Sequence, residues 1–172
     1  MDRKQLYSVF AALAVAAILL GGCMFQADPA EQMYDKLEKA VEKEKPFEEQ
    51  QEPLMKLEQQ EQELYAKIIE LDMEQHDEIV KLSNEAIEIV DKRKEHIDKE
   101  KESIDSSKEE FNGIGEIIGR FEEKEVKEQA AALKELMESR YETYGELYEN
   151  YTEGLKNDKQ LYELLKDENV TM

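Results

Sequence analysis

Residues 122–165 read EEKEVKEQAAALKELMESRYETYGELYENYTEGLKNDKQLYELL, and the fold is decided here. Val126, Ala130, Leu133, Met137, Arg140, Tyr144, Leu147, Tyr151, Gly154, Asp158, Leu161 and Leu165 recur at alternating steps of four and three. That period keeps one helix face against a neighbour over many turns. At a rise of about 1.5 Å per residue the stretch is a helix of roughly 65 Å. Its stripe can be covered only by partners of similar length crossing at shallow angles, which predicts an up-and-down antiparallel helical bundle.

Moving toward the N-terminus, Ile114, Ile117, Ile118 and Phe121 form an apolar connection expected to plug one end of the bundle. Asn112-Gly113 before it has the left-handed preference of a helix C-terminus. Upstream lies the stripe Ile79, Leu82, Ala86, Ile89, Arg93, Ile97, Glu100, Ile104, Ser107 and Phe111. Nothing between Leu54 and Phe111 is glycine or proline, but Asp72-Met73-Glu74-Gln75 has the form of a capping box and predicts a turn near Asp72. The first arm carries Met33, Leu37, Ala40, Glu44, Phe47 and Gln51, then Leu54, Leu57, Glu61, Leu64, Ile68 and Leu71, with Tyr65 and Ile69 widening the stripe. Pro46 and Pro53 predict a break between Lys45 and Pro53. Asp28-Pro29-Ala30-Glu31 reads as its start, with Asp28 as N-cap. The expected fold is therefore all-α, with three long arms, the first broken, so three to four helices over residues 29–172.

The N-terminal two dozen residues follow different rules. Arg3 and Lys4 precede an unbroken apolar run, Val9 to Leu20, and then Leu20-Gly21-Gly22-Cys23. The run spans roughly 18 Å, short for a hydrocarbon core of about 30 Å, and has the layout of a signal peptide. Small residues before the one cysteine look like a lipobox: Leu20, Gly21 and Gly22 are expected to be read by the signal peptidase and Cys23 to carry the lipid. Residues 1–22 are then removed, 23–28 are the lipidated cysteine and a short tether, and the bundle follows. Two acyl chains on one sulfur-linked glyceride give stable anchoring. The expected location is the extracytoplasmic face of the cell membrane, lipid-anchored.

The chain carries 43 acidic against 23 basic side chains, a formal net charge of −20, which repels phosphate backbones and argues against nucleic acid as a partner. With Cys23 the only cysteine, no disulfide can form within the monomer, and packing must supply the stability.

From the lipobox through Leu64-Tyr65-Ala66-Lys67-Ile68-Ile69-Glu70-Leu71 to Leu136-Met137-Glu138-Ser139-Arg140-Tyr141 and Tyr144-Gly145-Glu146-Leu147-Tyr148, the chain resembles the YkyA-like cell-wall-binding lipoproteins of Gram-positive bacteria. The resemblance implies a helical bundle, a contact with wall material such as peptidoglycan or an associated polymer, and no catalytic residues. It further implies that a last helix found in some members is absent here, since the chain stops at Asn169-Val170-Thr171-Met172.

Chemistry-bearing residues are sparse. His76 and His96 are the only histidines and lack the spacing of a metal site, so no metal and no cofactor is expected. Carboxylate pairs are abundant on so acidic a surface, but a slender bundle offers no water-excluding cleft for glycan hydrolysis, and no enzyme is expected. Tyr141, Tyr148 and Tyr162 share a heptad with Leu155, and Tyr144 and Tyr151 lie beside it. Five rings on one side suit stacking on sugars or docking a protein. Packing alone would also place them there, as a seam with hydroxyls at its edge. Residues 92–108 hold six positive and five negative side chains and are the least acidic region, able to meet an anionic polymer or to pair within the helix. The reading is a membrane-anchored, non-catalytic bundle that binds wall polymer, or alternatively a helical adaptor that holds another envelope protein on its tyrosine face.

Overall fold

Five α-helices and one short 3-10 turn account for nearly every residue from 28 to 168, the part of the chain that the computed structural model describes. The expected signal segment with Leu20, Gly21, Gly22 and Cys23, the expected tether to Ala27 and the last four residues lie outside it. Helix α1 spans Pro29–Lys43, α2 Lys45–Ile69, α3 His76–Phe111, α4 Ile114–Gly119 and α5 Lys124–Leu165, with the 3-10 turn at Met73–Gln75. Helices α1 and α2 make the first arm, α3 the second and α5 the third, which is the expected up-down-up bundle.

The ends follow the local chemistry. The Asp28 carboxylate accepts from the Ala30 N–H at 3.0 Å, and Pro29 sits where a missing N–H costs nothing. At the first reversal Asp72 accepts from Glu74 N–H at 2.9 Å, and the Gln75 side chain completes the capping box. At the second, Gly113 takes φ = 81°, a left-handed conformation that glycine adopts without steric cost.

The break in the first arm falls at Glu44, one residue upstream of the predicted interval. Pro46 lies in the first turn of α2, so the discontinuity precedes it. Pro53 lies inside α2 without ending it, since the carbonyl it deprives belongs to exposed Glu49 and can be hydrated. In an unbroken helix Phe47 N–H would donate to Lys43 C=O. Here the Ser103 hydroxyl of α3 is inserted between them, accepting from Phe47 N–H at 3.1 Å and donating to the Lys43 carbonyl. A side chain inserted into the helical ladder is a recognised cause of a kink. Ser103→Ala is expected to lose about 1–3 kcal/mol in urea unfolding, because two partly buried backbone groups lose their partner. An unchanged midpoint would mean that the ladder closes without the hydroxyl.

Two apolar clusters hold the arms together. The far cluster joins Leu54, Leu64 and Ile68 to Ile79, Ala86, Ile97, Leu155 and Tyr162. The near cluster, at the end where the chain enters, joins Ala40, Ile104, Phe111, Ile114, Ile118, Ala130 and Tyr141, so the α4 segment does plug that end. Between them lies a polar layer in which Glu100 and Ser103 of α3 are buried, while buried Ser107 lies within the near cluster against Tyr141.

The seam of α5 differs from the predicted stripe in one of its two rows. Met137, Tyr144, Tyr151, Asp158 and Leu165 face inward as expected. The other buried row is Tyr141, Tyr148, Leu155 and Tyr162, not Arg140, Leu147, Gly154 and Leu161. Leu147 and Leu161 remain 49% and 40% exposed.

Candidate functional site

The five tyrosines singled out in the sequence all lie along the α5 seam, and each hydroxyl is engaged inside the bundle. Tyr141 shares a hydrogen bond of 2.9 Å with Ser107, and Tyr144 donates to Glu100 at 3.1 Å. Tyr148 donates to Asp98 at 2.7 Å, Tyr151 to Glu58 at 2.7 Å and Tyr162 to Glu61 at 3.2 Å. Burial, reinforced by the acceptors, raises the phenol pKa of Tyr144 and Tyr162, and burial and Glu58 do so for Tyr151 against the pull of Arg93. These rings act as spacers: their apolar faces fill the core and their tips tie the last arm to the other two.

Tyrosine is long enough to reach across the bundle, and the sequence signal for this role lies in the acids placed opposite. Glu61 and Glu100 occupied apolar stripe positions in the first and second arms, where an acid has no place without a donor. Glu100 takes Tyr144 on one oxygen and Gln51 Nε2 on the other at 2.7 Å. Glu61 meets Tyr162 and Arg93, and Arg93 also reaches Glu58, Asp158 at 3.5 Å and the Tyr151 hydroxyl at 3.0 Å. Desolvation pushes the Glu61 carboxyl above its ordinary value, and the Arg93 guanidinium only partly offsets this. Desolvation likewise raises Glu100 against its two hydrogen bonds. Both clusters are structural: every charge in them has an internal partner.

One tyrosine also presents itself to solvent. Tyr148 is half-buried on the α3/α5 face, and the ammonium groups of Lys94 and Lys101 each stand 5.7 Å from its ring centroid. Lys94 bonds Asp98, which burial pushes up but the Lys94 and Tyr148 hydrogen bonds together hold below the usual carboxylate range. Beside it a shallow cleft of about 270 Å³ is lined by Asp91, Lys94, Thr152, Leu155, Lys156 and Lys159. The Lys159 ammonium sits 2.7 Å from Asp91. An aromatic ring flanked by two cations is a surface that can meet a sugar ring bearing a carboxylate or phosphate.

The histidines stay apart: His96 Nδ1 lies 2.7 Å from the Gln50 amide oxygen, while His76 Nε2 lies 3.1 Å from the Lys166 carbonyl at the far end. Among the described residues no three His, Cys, Asp or Glu side chains gather in a metal-holding group. No described helix is long and apolar enough to cross a membrane.

Over residues 28–172 the chain matches the family described as "Putative cell-wall binding lipoprotein", YkyA. It is 42% identical over 160 residues to a Bacillus subtilis (strain 168) protein named "Uncharacterized lipoprotein YkyA", covering 93% of this chain and 71% of the relative. No solved structure matches.

Proposed function

From the premise that this chain belongs to the YkyA family of lipoproteins, we propose that it stands outside the cell on a lipid at Cys23 and binds wall material without transforming it. The observation that carries this reading is the extent of the match, which runs through all five helices and not through one motif. A non-catalytic role agrees with the internal use of Glu61, Glu100, Arg93 and the tyrosine hydroxyls: Glu61, whose carboxyl is raised and which lines a cleft with Glu58 and Asp158, is held by Arg93 and Tyr162.

Contact is made on the α3/α5 face, with the Tyr148 ring against a sugar and Lys94 and Lys101 against carboxylates of the wall peptide or phosphates of an associated polymer. This eases the conflict between an acidic protein and an anionic wall, since Lys94 and Lys101 balance Asp98 and Asp105 and leave this patch locally neutral on a strongly acidic body. On this reading Leu20-Gly21-Gly22 direct cleavage just before Cys23, whose sulfur carries the lipid.

The test is a pull-down of the bundle on isolated peptidoglycan, with and without teichoic acid and magnesium. Saturable binding is expected, with Lys94→Gln plus Lys101→Gln weakening it by roughly tenfold, about 1.4 kcal/mol. Loss of binding on removal of teichoic acid would identify the polymer, and a requirement for magnesium would identify bridging by the cation. Absence of binding in every condition would defeat the wall reading and leave the envelope-protein adaptor in its place.

A further inference from the structure

The large apolar side chains that remain well exposed in the described bundle lie on its outer arms: Tyr34, Val41, Met55, Tyr65 and Ile69 on the first, Leu136, Leu147, Leu161 and Leu164 on the last. Helix α3 exposes none of comparable size. Four of these, Tyr65, Leu136, Leu147 and Leu161, line a groove between α2 and α5 with α3 as its floor, and Met55, Ile69 and Leu164 fall on the same heptad rows. One part of it, about 350 Å³, is lined by Gln62, Tyr65, Leu161 and Tyr162 and by Glu58, Glu61 and Asp158, the three carboxylates that Arg93 engages. Another, about 400 Å³, lies between Phe47, Ile104, Leu136, Arg140, Tyr144 and Leu147.

Both walls repeat at helical-bundle spacing. On α2, Gln51, Met55, Glu58, Gln62, Tyr65 and Ile69 alternate by four and three, and the acid among them is engaged by Tyr151 and Arg93. On α5 the two rows are Leu133, Arg140, Leu147, Gly154, Leu161 and Leu136, Thr143, Asn150, Asn157, Leu164. Helix α5 carries ten acidic residues, and none falls on either row. Arg140, the cation among them, is neutralised by the Glu44 carboxylate at 2.6 and 2.7 Å. A second seam of period seven, stripped of acids on a strongly acidic helix, is what a helix-packing surface requires and what a solvated face does not.

We propose that this face is a self-association surface on which two copies pack groove to groove, in parallel, about a two-fold axis along the arms. Charge locates the contact: two bodies that each carry a formal charge of −20 repel over most of their surfaces, and the strip whose acids are already engaged by Arg93, Tyr151 and Tyr162 is where a second copy can approach. Area agrees with it. The open parts of Met55, Tyr65, Ile69 and the four leucines amount to roughly 600–700 Å² at the areas such side chains bury. That exceeds the apolar patch of an ordinary monomer, about 300–600 Å², and approaches the roughly 800 Å² per partner of a standard interface. The parallel orientation rests on the lipid-anchor reading: with Asp28 five residues beyond Cys23, copies in one membrane stand with their first arms pointing the same way, and each leucine row meets its own copy.

Both cores are built from residues after Asp28, so the bundle 28–172, which contains no cysteine, can be tested by itself. Sedimentation equilibrium should give twice the monomer mass, with the dimer tightening as salt rises, because screening shortens from about 10 Å at 0.1 M to about 3 Å at 1 M. Leu147→Glu combined with Leu161→Glu should weaken the dimer at least tenfold without changing helix content or melting of the monomer. Under oxidation Leu147→Cys should cross-link two copies, and Glu142→Cys, on an exposed position away from both rows, should not. A monomer at every salt concentration up to about 1 mM protein, a dimer that survives the two glutamates, or a dimer that Leu147→Cys fails to cross-link would each overturn the proposal. Wall binding is placed on the α3/α5 face, so its own test is unaffected by either result.

Discussion

Arg93→Met is expected to destabilise the bundle by about 3–5 kcal/mol at pH 7, the cost of leaving a buried charge without its partner. Arg93 is 12% exposed and Glu61 8%, and among the described residues the guanidinium is the cation that pairs with Glu61. The variant also strips Asp158 of its contact and Tyr151 of a donor. Against a total stability of about 5–15 kcal/mol this is a large fraction. The pH dependence has a definite sign. Desolvation already raises the Glu61 carboxyl above its ordinary 4.5, and removing the arginine raises it further. The folded state then binds a proton that the unfolded state releases, so the deficit is full above the folded pKa and shrinks as pH falls through it toward the unfolded value. Adding Glu61→Gln should recover most of the loss at pH 7, since the amide keeps an acceptor for Tyr162 and carries no charge. Urea titrations at pH 7 and pH 5, followed by circular dichroism, would decide it. A loss below about 1 kcal/mol with no narrowing at pH 5 would show that water or a neighbouring acid already relieves the site.

Phe111→Ala is expected to cost a similar 3–5 kcal/mol, and to do so locally. Phe111 is 3% exposed and stands edge-on to Tyr141, with ring centroids 6.0 Å apart. It closes the near cluster, which the layer of Glu100 and Ser103 separates from the far one. Apolar contacts transmit poorly through such a layer, so hydrogen exchange should quicken first in the buried parts of α1, α4 and the start of α5. Amides around Ile79, Ala86 and Ile97 should keep their protection until the whole bundle opens. Uniform loss of protection along all three arms would mean that the polar layer couples the clusters and does not divide them.

How far the fold could be read from sequence differs by element. The α3 stripe from Ile79 to Phe111 was legible from its period, but the coverage of this helix on both sides also buries Ser83, Val90 and Ser103, which lie off that stripe. The capping box at Asp72 and the Asn112-Gly113 stop were legible because each is local chemistry. The site was legible only as a list: five tyrosines on one side of a helix, without the acceptors that determine what they do. Glu61 and Glu100 were visible as acids in apolar rows, a sign that donors must meet them, but the donors come from chain positions tens of residues away.

By itself, then, the sequence determined that the chain is all-α, where its arms begin and turn, that it is strongly acidic, and that Cys23 follows a lipobox-like run. Those properties are local, set by capping groups, glycine and proline, and the period of apolar residues. Tertiary structure alone decided which row of α5 is buried. A four-three alternation shares Met137, Tyr144, Tyr151, Asp158 and Leu165 with two possible companion rows, one step apart. Tyr141, Tyr148, Leu155 and Tyr162 won because Ser107, Asp98 and Glu61 on the other arms satisfy their hydroxyls. Leu147 and Leu161 were left on the open face. Tertiary structure also set the break at Glu44, since only a hydroxyl arriving from α3 can bridge the gap between Lys43 and Phe47.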